Sequence, residues 1–151
     1  MTTKVTVAMQ ASDGVPAVHA TSTPINVPTG AGTPTGFAAY GTPQFDPTGA
    51  FNTSTGRFTP QVAGWYQVNA AVDYLATAMT ASYVSVLLRK NGVAHSASVT
   101  GASSASVQVS VSDLVYLNGT TDYVDVAAAH NAAGDATGVS ATLSAVLVRA
   151  I

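Results

Sequence analysis

The chain has 151 residues, long enough to bury about two-thirds of the surface that its unfolded form exposes. It has no cysteine, which excludes disulfides and thiolate metal sites, and it sets five basic side chains against seven aspartates with no glutamate. A net charge of −2 offers no basic field for nucleic acid and no polybasic patch for an anionic membrane.

From the N-terminus, Lys4 to Met9 alternates polar and apolar and reads as an opening strand, which Asp13-Gly14 and Pro16 interrupt. The N-terminal run Met1 to Val7 has one basic residue but no apolar core of the length a secretory signal needs, so classical export is not expected. Residues 21–36 carry Pro24, Pro28 and Pro34 among glycines and read as loop, with room for a short edge strand at Ile25-Asn26-Val27 because proline cannot donate to a central ladder. Next, Gly49, Gly56 and Gly64 mark chain reversals, and Phe51, Phe58, Trp65 and Tyr66 between them offer large anchors for a core. From Gly64 onward Tyr66, Val68, Ala70 and Val72 fall on one face, with Gln67, Asn69, Ala71 and Asp73 on the other, the pattern of a half-buried strand.

Tyr83 to Lys90 forms a further strand with Val84, Val86 and Leu88 on one face, and Asn91-Gly92 predicts a type I′ hairpin turn into Val93 to Val99. After a small-residue loop at 100–104, Val107, Val109 and Val111 alternate up to Asp113, and Leu114 to Leu117 follows as a separate strand. Tyr123 starts another strand that ends near His130. The last, Val139 to Ile151, is apolar on both faces towards its end and reads as central or interfacial. The longest apolar runs, such as Ala145-Val146-Leu147-Val148, are far too short to span a membrane, and no membrane insertion is expected. No apolar stripe of helical period is present.

The run Phe45-Asp46-Pro47-Thr48-Gly49-Ala50-Phe51-Asn52-Thr53-Ser54-Thr55-Gly56-Arg57-Phe58-Thr59-Pro60-Gln61-Val62-Ala63-Gly64-Trp65-Tyr66 resembles the C1q/TNF-like jelly-roll family, with Phe51, Gly56, Phe58, Gly64 and Tyr66 as its motif positions. The strand ending Arg89-Lys90-Asn91-Gly92, the stretch Val107 to Leu117 and the closing strand Ala141 to Val148 extend the likeness. Ser112 stands where the family has glycine, and Gln61 is an insertion. The resemblance implies an all-β, ten-stranded antiparallel jelly-roll sandwich that packs as a homotrimer. It also implies one domain over 1–151, with an N-terminal strand and Pro/Gly-rich loop at 1–36 and the core at 37–151. Trp65, Tyr66, Leu143 and Leu147 are its expected core or trimer-interface residues.

Catalytic patterns are missing. His19, His95 and His130 are dispersed, no Gly-x-Ser-x-Gly elbow exists, and no phosphate-cradling loop is present, so enzymatic activity is not expected. No cofactor is expected. Asp113, Asp122, Asp125 and Asp135 are oxygen donors that calcium could use, since some members of the resembled family hold it, but they read first as turn residues. Asn52-Thr53-Ser54 and Asn118-Gly119-Thr120 have the form of glycosylation sequons and likewise read as turns. Recognition is expected on the loops around 21–40, 76–82 and 131–138.

A trimer-forming jelly roll without an export signal points to a bacteriophage virion component at the virion surface: a head fibre, decoration protein or tail-fibre tip. Its partners would be itself, capsid or tail proteins, and a host-surface glycan or protein. The alternative is an extracellular C1q-like binding module.

Overall fold

The computed structural model describes residues 14–29, 33–75, 83–102 and 106–151. Among them there are eleven strands and no helix. In chain order these are β1 (Ala17–Thr21), β2 (Ile25–Val27), β3 (Thr35–Gly36), β4 (Phe51–Asn52), β5 (Arg57–Phe58), β6 (Ala63–Tyr74), β7 (Tyr83–Lys90), β8 (Val93–Gly101), β9 (Val107–Asn118), β10 (Val124–His130) and β11 (Ala136–Ala150). One antiparallel sheet runs β1-β11-β6-β9, with β2 also pairing β11. The other runs β4-β5-β10-β7-β8, with β3 also pairing β10. The two sheets face each other in a jelly-roll sandwich.

The alternation read from the sequence supplies the core. Tyr66, Val68, Ala70 and Val72 are buried from one sheet, and Val84, Val86 and Leu88 meet them from the other. Asn91 and Gly92 both take positive φ, as a type I′ turn requires, and join β7 to β8. The closing strand β11 is central, between β1 and β6.

Two expectations change, for β9 and for Gly64. Among the described residues β1, a strand not read from the sequence, pairs residue by residue with β11. The Lys4 to Met9 strand lies outside the described residues. β9 is one continuous strand through Ser112 and Asp113, since all twelve of its residues pair with β6 and Asp113 is simply a polar member of its inward series. Gly64 is no chain reversal but sits within β6, where a Cβ would collide with the Arg149 carbonyl of β11. Gly49 and Gly56 are turns, with φ of +63° and +66°, and a Cβ at Gly56 would meet the Phe37 carbonyl.

Phe58 and Tyr66 stack edge to face at 5.8 Å across the core, and Tyr40 and Phe51 do the same at 5.0 Å. The Tyr66 hydroxyl donates to the Val62 carbonyl at 2.7 Å, and that of Tyr74 to Ser85 and Ala129. Burial pushes the phenols of Tyr66 and Tyr74 up to about 12, and burial followed by the nearby Asp125 charge pushes Tyr40 higher still.

These phenols hold their protons in the folded state at a pH where the unfolded chain has lost them. Their contribution is therefore complete below about pH 10 and falls as pH rises towards about 12. Absorbance at 295 nm across an alkaline titration should show three of the six tyrosines ionising only as near-UV ellipticity collapses. Ionisation of all six near pH 10 with the fold intact would contradict this.

Candidate functional site

The strand order β1-β11-β6-β9 brings together an outward face that no single segment reveals. Successive pairs across it are Trp65 with Tyr116, Gln67 with Leu114 and Val146, Asn69 with Ser112 and Ser144, and Ala71 with Ser110 and Thr142. Each row is a set of directly opposed side chains, so the face has a gradient along the strands. At one end Trp65, Leu114, Tyr116, Val146 and Val148 are all exposed, with Trp65 and Tyr116 ring to ring at 5.8 Å. A bulge after Leu147 helps to turn Val148 outward.

The middle of the face is small and polar. Gln67 donates to the Ser112 hydroxyl at 2.8 Å, Ser112 donates to Asn69 at 2.7 Å, and the Asn69 amide reaches the Ser144 hydroxyl at 3.4 Å. A shallow groove runs over Asn69, Ala71, Ser110, Ser112, Thr142 and Ser144. No Asp, Lys or Arg stands in the rows of Gln67, Asn69 and Ala71; Arg149 lies in register with Trp65 at one end, and Asp73, which accepts from Gln108 at 2.7 Å, follows at the other.

That gradient has a physical meaning. Exposed apolar clusters of this kind mark association surfaces, and a charge-free floor matters where identical copies meet about an axis, because each charge there would face its own image.

The expected site residues divide. Tyr66 and Leu143 are fully buried in the sandwich and are core residues. Leu147 is half-buried and packs against the core, so it lies on the opposite side of β11 from Val146. Trp65, read from sequence as a core or trimer-interface residue, is 43% exposed, because Gly64 and Tyr66 point inward on either side of it. The motif positions Phe51, Phe58 and Gly56 are buried. Leu114, Tyr116 and Val146 were not singled out in the sequence; their alternation signal existed, but not the pairing that unites them.

The four candidate calcium donors are engaged separately. Asp125 binds Arg89, Asp122 binds Lys90 and Asn91, Asp135 accepts from the Thr29 amide, and Asp113 lies 3.7 Å from His95. Among the described residues no three His, Asp or Glu side chains gather as a metal set. The Asn91 amide, helped by Lys90, holds the Asp122 carboxyl below its ordinary range. Both sequon asparagines cap their own turns: Asn52 accepts from the Ser54 and Thr55 amides, and Asn118 from those of Thr120, Thr121 and Asp122. The 76–82 recognition loop lies outside the described residues. No helix among the described residues is long and apolar enough to cross a membrane.

No family model matches the chain, and no curated protein does. Solved structures do. The globular domain of zebrafish complement 1qA superposes with a TM-score of 0.68 at 18% identity, covering 91% of this chain and 100% of that one. The PRD1 vertex protein P5 gives 0.67 at 15% identity, covering 90% and 99%. The chain thus has the C1q/TNF-like jelly-roll fold. Murine APRIL shares it with a TM-score of 0.60 at 11% identity, covering 87% of this chain and 98% of that one. At such identities the likeness establishes the architecture, and the role of this jelly roll has to come from its own surface.

Proposed function

We propose that the chain is a non-enzymatic, homotrimeric structural and binding protein of a bacteriophage virion, built as one jelly-roll domain over 1–151. It would serve at the particle surface as a head fibre, decoration protein or tail-fibre tip and contact capsid or tail proteins and the host envelope. The observation that carries the reading is the outward face of β1-β11-β6-β9, apolar at one end and uncharged through its middle. Once covered by two copies, such a face resembles a core cut open, as permanent interfaces do. Likeness to a vertex protein supports the virion setting.

A second reading, an extracellular C1q-like binding module, is favoured by the equally good match to the complement domain. Immunogold labelling and mass spectrometry of purified particles from the source distinguish the two. The virion reading expects this chain at fixed copy number on particles, and its presence only in the soluble extracellular fraction would transfer the assignment to the second. Light scattering should give three times 15.1 kDa under either reading.

A further inference from the structure

Among the described residues, basic charge is gathered at one end of the sandwich. The four basic side chains among the described residues, Arg57, Arg89, Lys90 and Arg149, all lie where β6 begins and β7 and β11 finish, whereas Asp73 and Asp135 lie towards the other end. Arg89 and Lys90 are neutralised by Asp125 and Asp122. Arg57 and Arg149 have no carboxylate within ion-pair distance among the described residues, and both are exposed.

Aromatic rings alternate with these cations around the end. The Arg57 guanidinium lies 4.2 Å over the Tyr123 ring, and the backbone of Tyr123 is tied to Asn91, next to Lys90. The Lys90 ammonium lies 5.6 Å from the Tyr116 ring centre, Tyr116 meets Trp65, and Trp65 pairs in register with Arg149. The strip thus crosses from one sheet to the other in a chain otherwise dominated by small neutral residues.

We propose that this cation–aromatic strip is a docking surface for an acidic segment of a partner protein, one that carries Asp or Glu among apolar residues. Arg, Tyr and Trp are the side chains that most often dominate interface energetics. A guanidinium already laid on a ring has surrendered part of its freedom and still presents its edge to a carboxylate. Uncompensated charge at this end is complementary to such a partner. Nucleic acid fits poorly, because two free cations neutralise few phosphates and Asp122 stands beside them. A sugar fits poorly too, because the Trp65 and Tyr116 planes are inclined by 58° and form no common platform. The proposal does not rest on the virion assignment; it shares Trp65 and Tyr116 with the apolar end of the proposed self-association face, whereas Arg57 and Tyr123 belong to the other sheet's side of the strip.

The test uses the intact chain and a fluorescein-labelled peptide of repeated Asp-Glu-Phe, with a control in which Asn and Gln replace Asp and Glu. Fluorescence anisotropy should show saturable, salt-sensitive binding of the acidic peptide alone. The double variant Arg57→Gln/Arg149→Gln should weaken it by about tenfold or more while thermal melts stay unchanged. Three results overturn the proposal: equal binding of the control peptide, binding unaffected in the double variant, or no binding at low salt. Tighter capture by heparin than by the peptide would reassign the strip to anionic glycans and overturn it as well. Growth of scattering mass without peptide, abolished in the double variant, would also overturn it, by making the occupant the acidic end of a second copy. Light scattering of the double variant reads the trimer separately, so loss of peptide binding at unchanged mass is attributable to the strip.

Discussion

Replacing Arg89 by alanine is expected to destabilise the fold by about 3–5 kcal/mol, the usual consequence of stranding a buried charge. Asp125 is 3% exposed on β10, inside the sheet, and both its oxygens are held by Arg89 of the adjoining β7, from Nε at 2.8 Å and Nη2 at 2.7 Å. The two residues are direct partners in the ladder, so no other cation can swing in without moving a strand. Removing the guanidinium leaves a carboxylate with neither water nor counter-charge. At this size the loss corresponds to a fall of roughly 6–20 °C in melting temperature by calorimetry.

The comparison variant is Lys90→Ala, which breaks the more exposed pair with Asp122 and should cost no more than about 1 kcal/mol. Arg89→Leu combined with Asp125→Leu should recover much of the loss, because a well-packed apolar pair often replaces a buried ion pair without penalty. Equal melting temperatures for Arg89→Ala and Lys90→Ala would show that the pair is not isolated from solvent.

This contrast also shows what the sequence discloses. The hairpin at Asn91-Gly92 was legible because two adjacent residues both tolerate positive φ, and β6 was legible because one half of its alternation is apolar and the other polar. Those signals are local. Arg89 and Asp125 lie thirty-six residues apart, and only the antiparallel register of β7 and β10 turns them from two surface charges into one buried pair. The same holds for the candidate face, whose apolar end draws on β6, β9 and β11. Each of those strands carries one or two outward apolar side chains, unremarkable until the strand order sets them side by side. β1 escaped notice because Ala17–Thr21 is short and small, with its partner β11 more than a hundred residues away. Size alone leaves Trp65 between core and interface, because it suits either, and its parity within β6 puts it on the outward side.

Parity also supplies the sharpest test of the proposed trimer. Val146 and Leu147 are neighbours on β11, but Val146 lies on the outward face, 44% exposed between Ala17 and Gln67 of the flanking strands, while Leu147 packs on the core opposite Tyr66. Val146→Asp leaves the single chain nearly as stable as before, since the new carboxylate stays in water. In a trimer closed over this face, however, three such charges are buried without partners, at about 3–5 kcal/mol each. Light scattering should then report a chain of 15.1 kDa in place of the trimer, with the far-UV spectrum unchanged. Leu147→Asp places the same charge against the core and should lower the melting temperature of the sandwich itself, whatever its oligomeric state. If Val146→Asp keeps the trimer mass, the β1-β11-β6-β9 face is not where the copies meet, and the apolar cluster at Trp65, Leu114 and Tyr116 must be covered by something other than this chain.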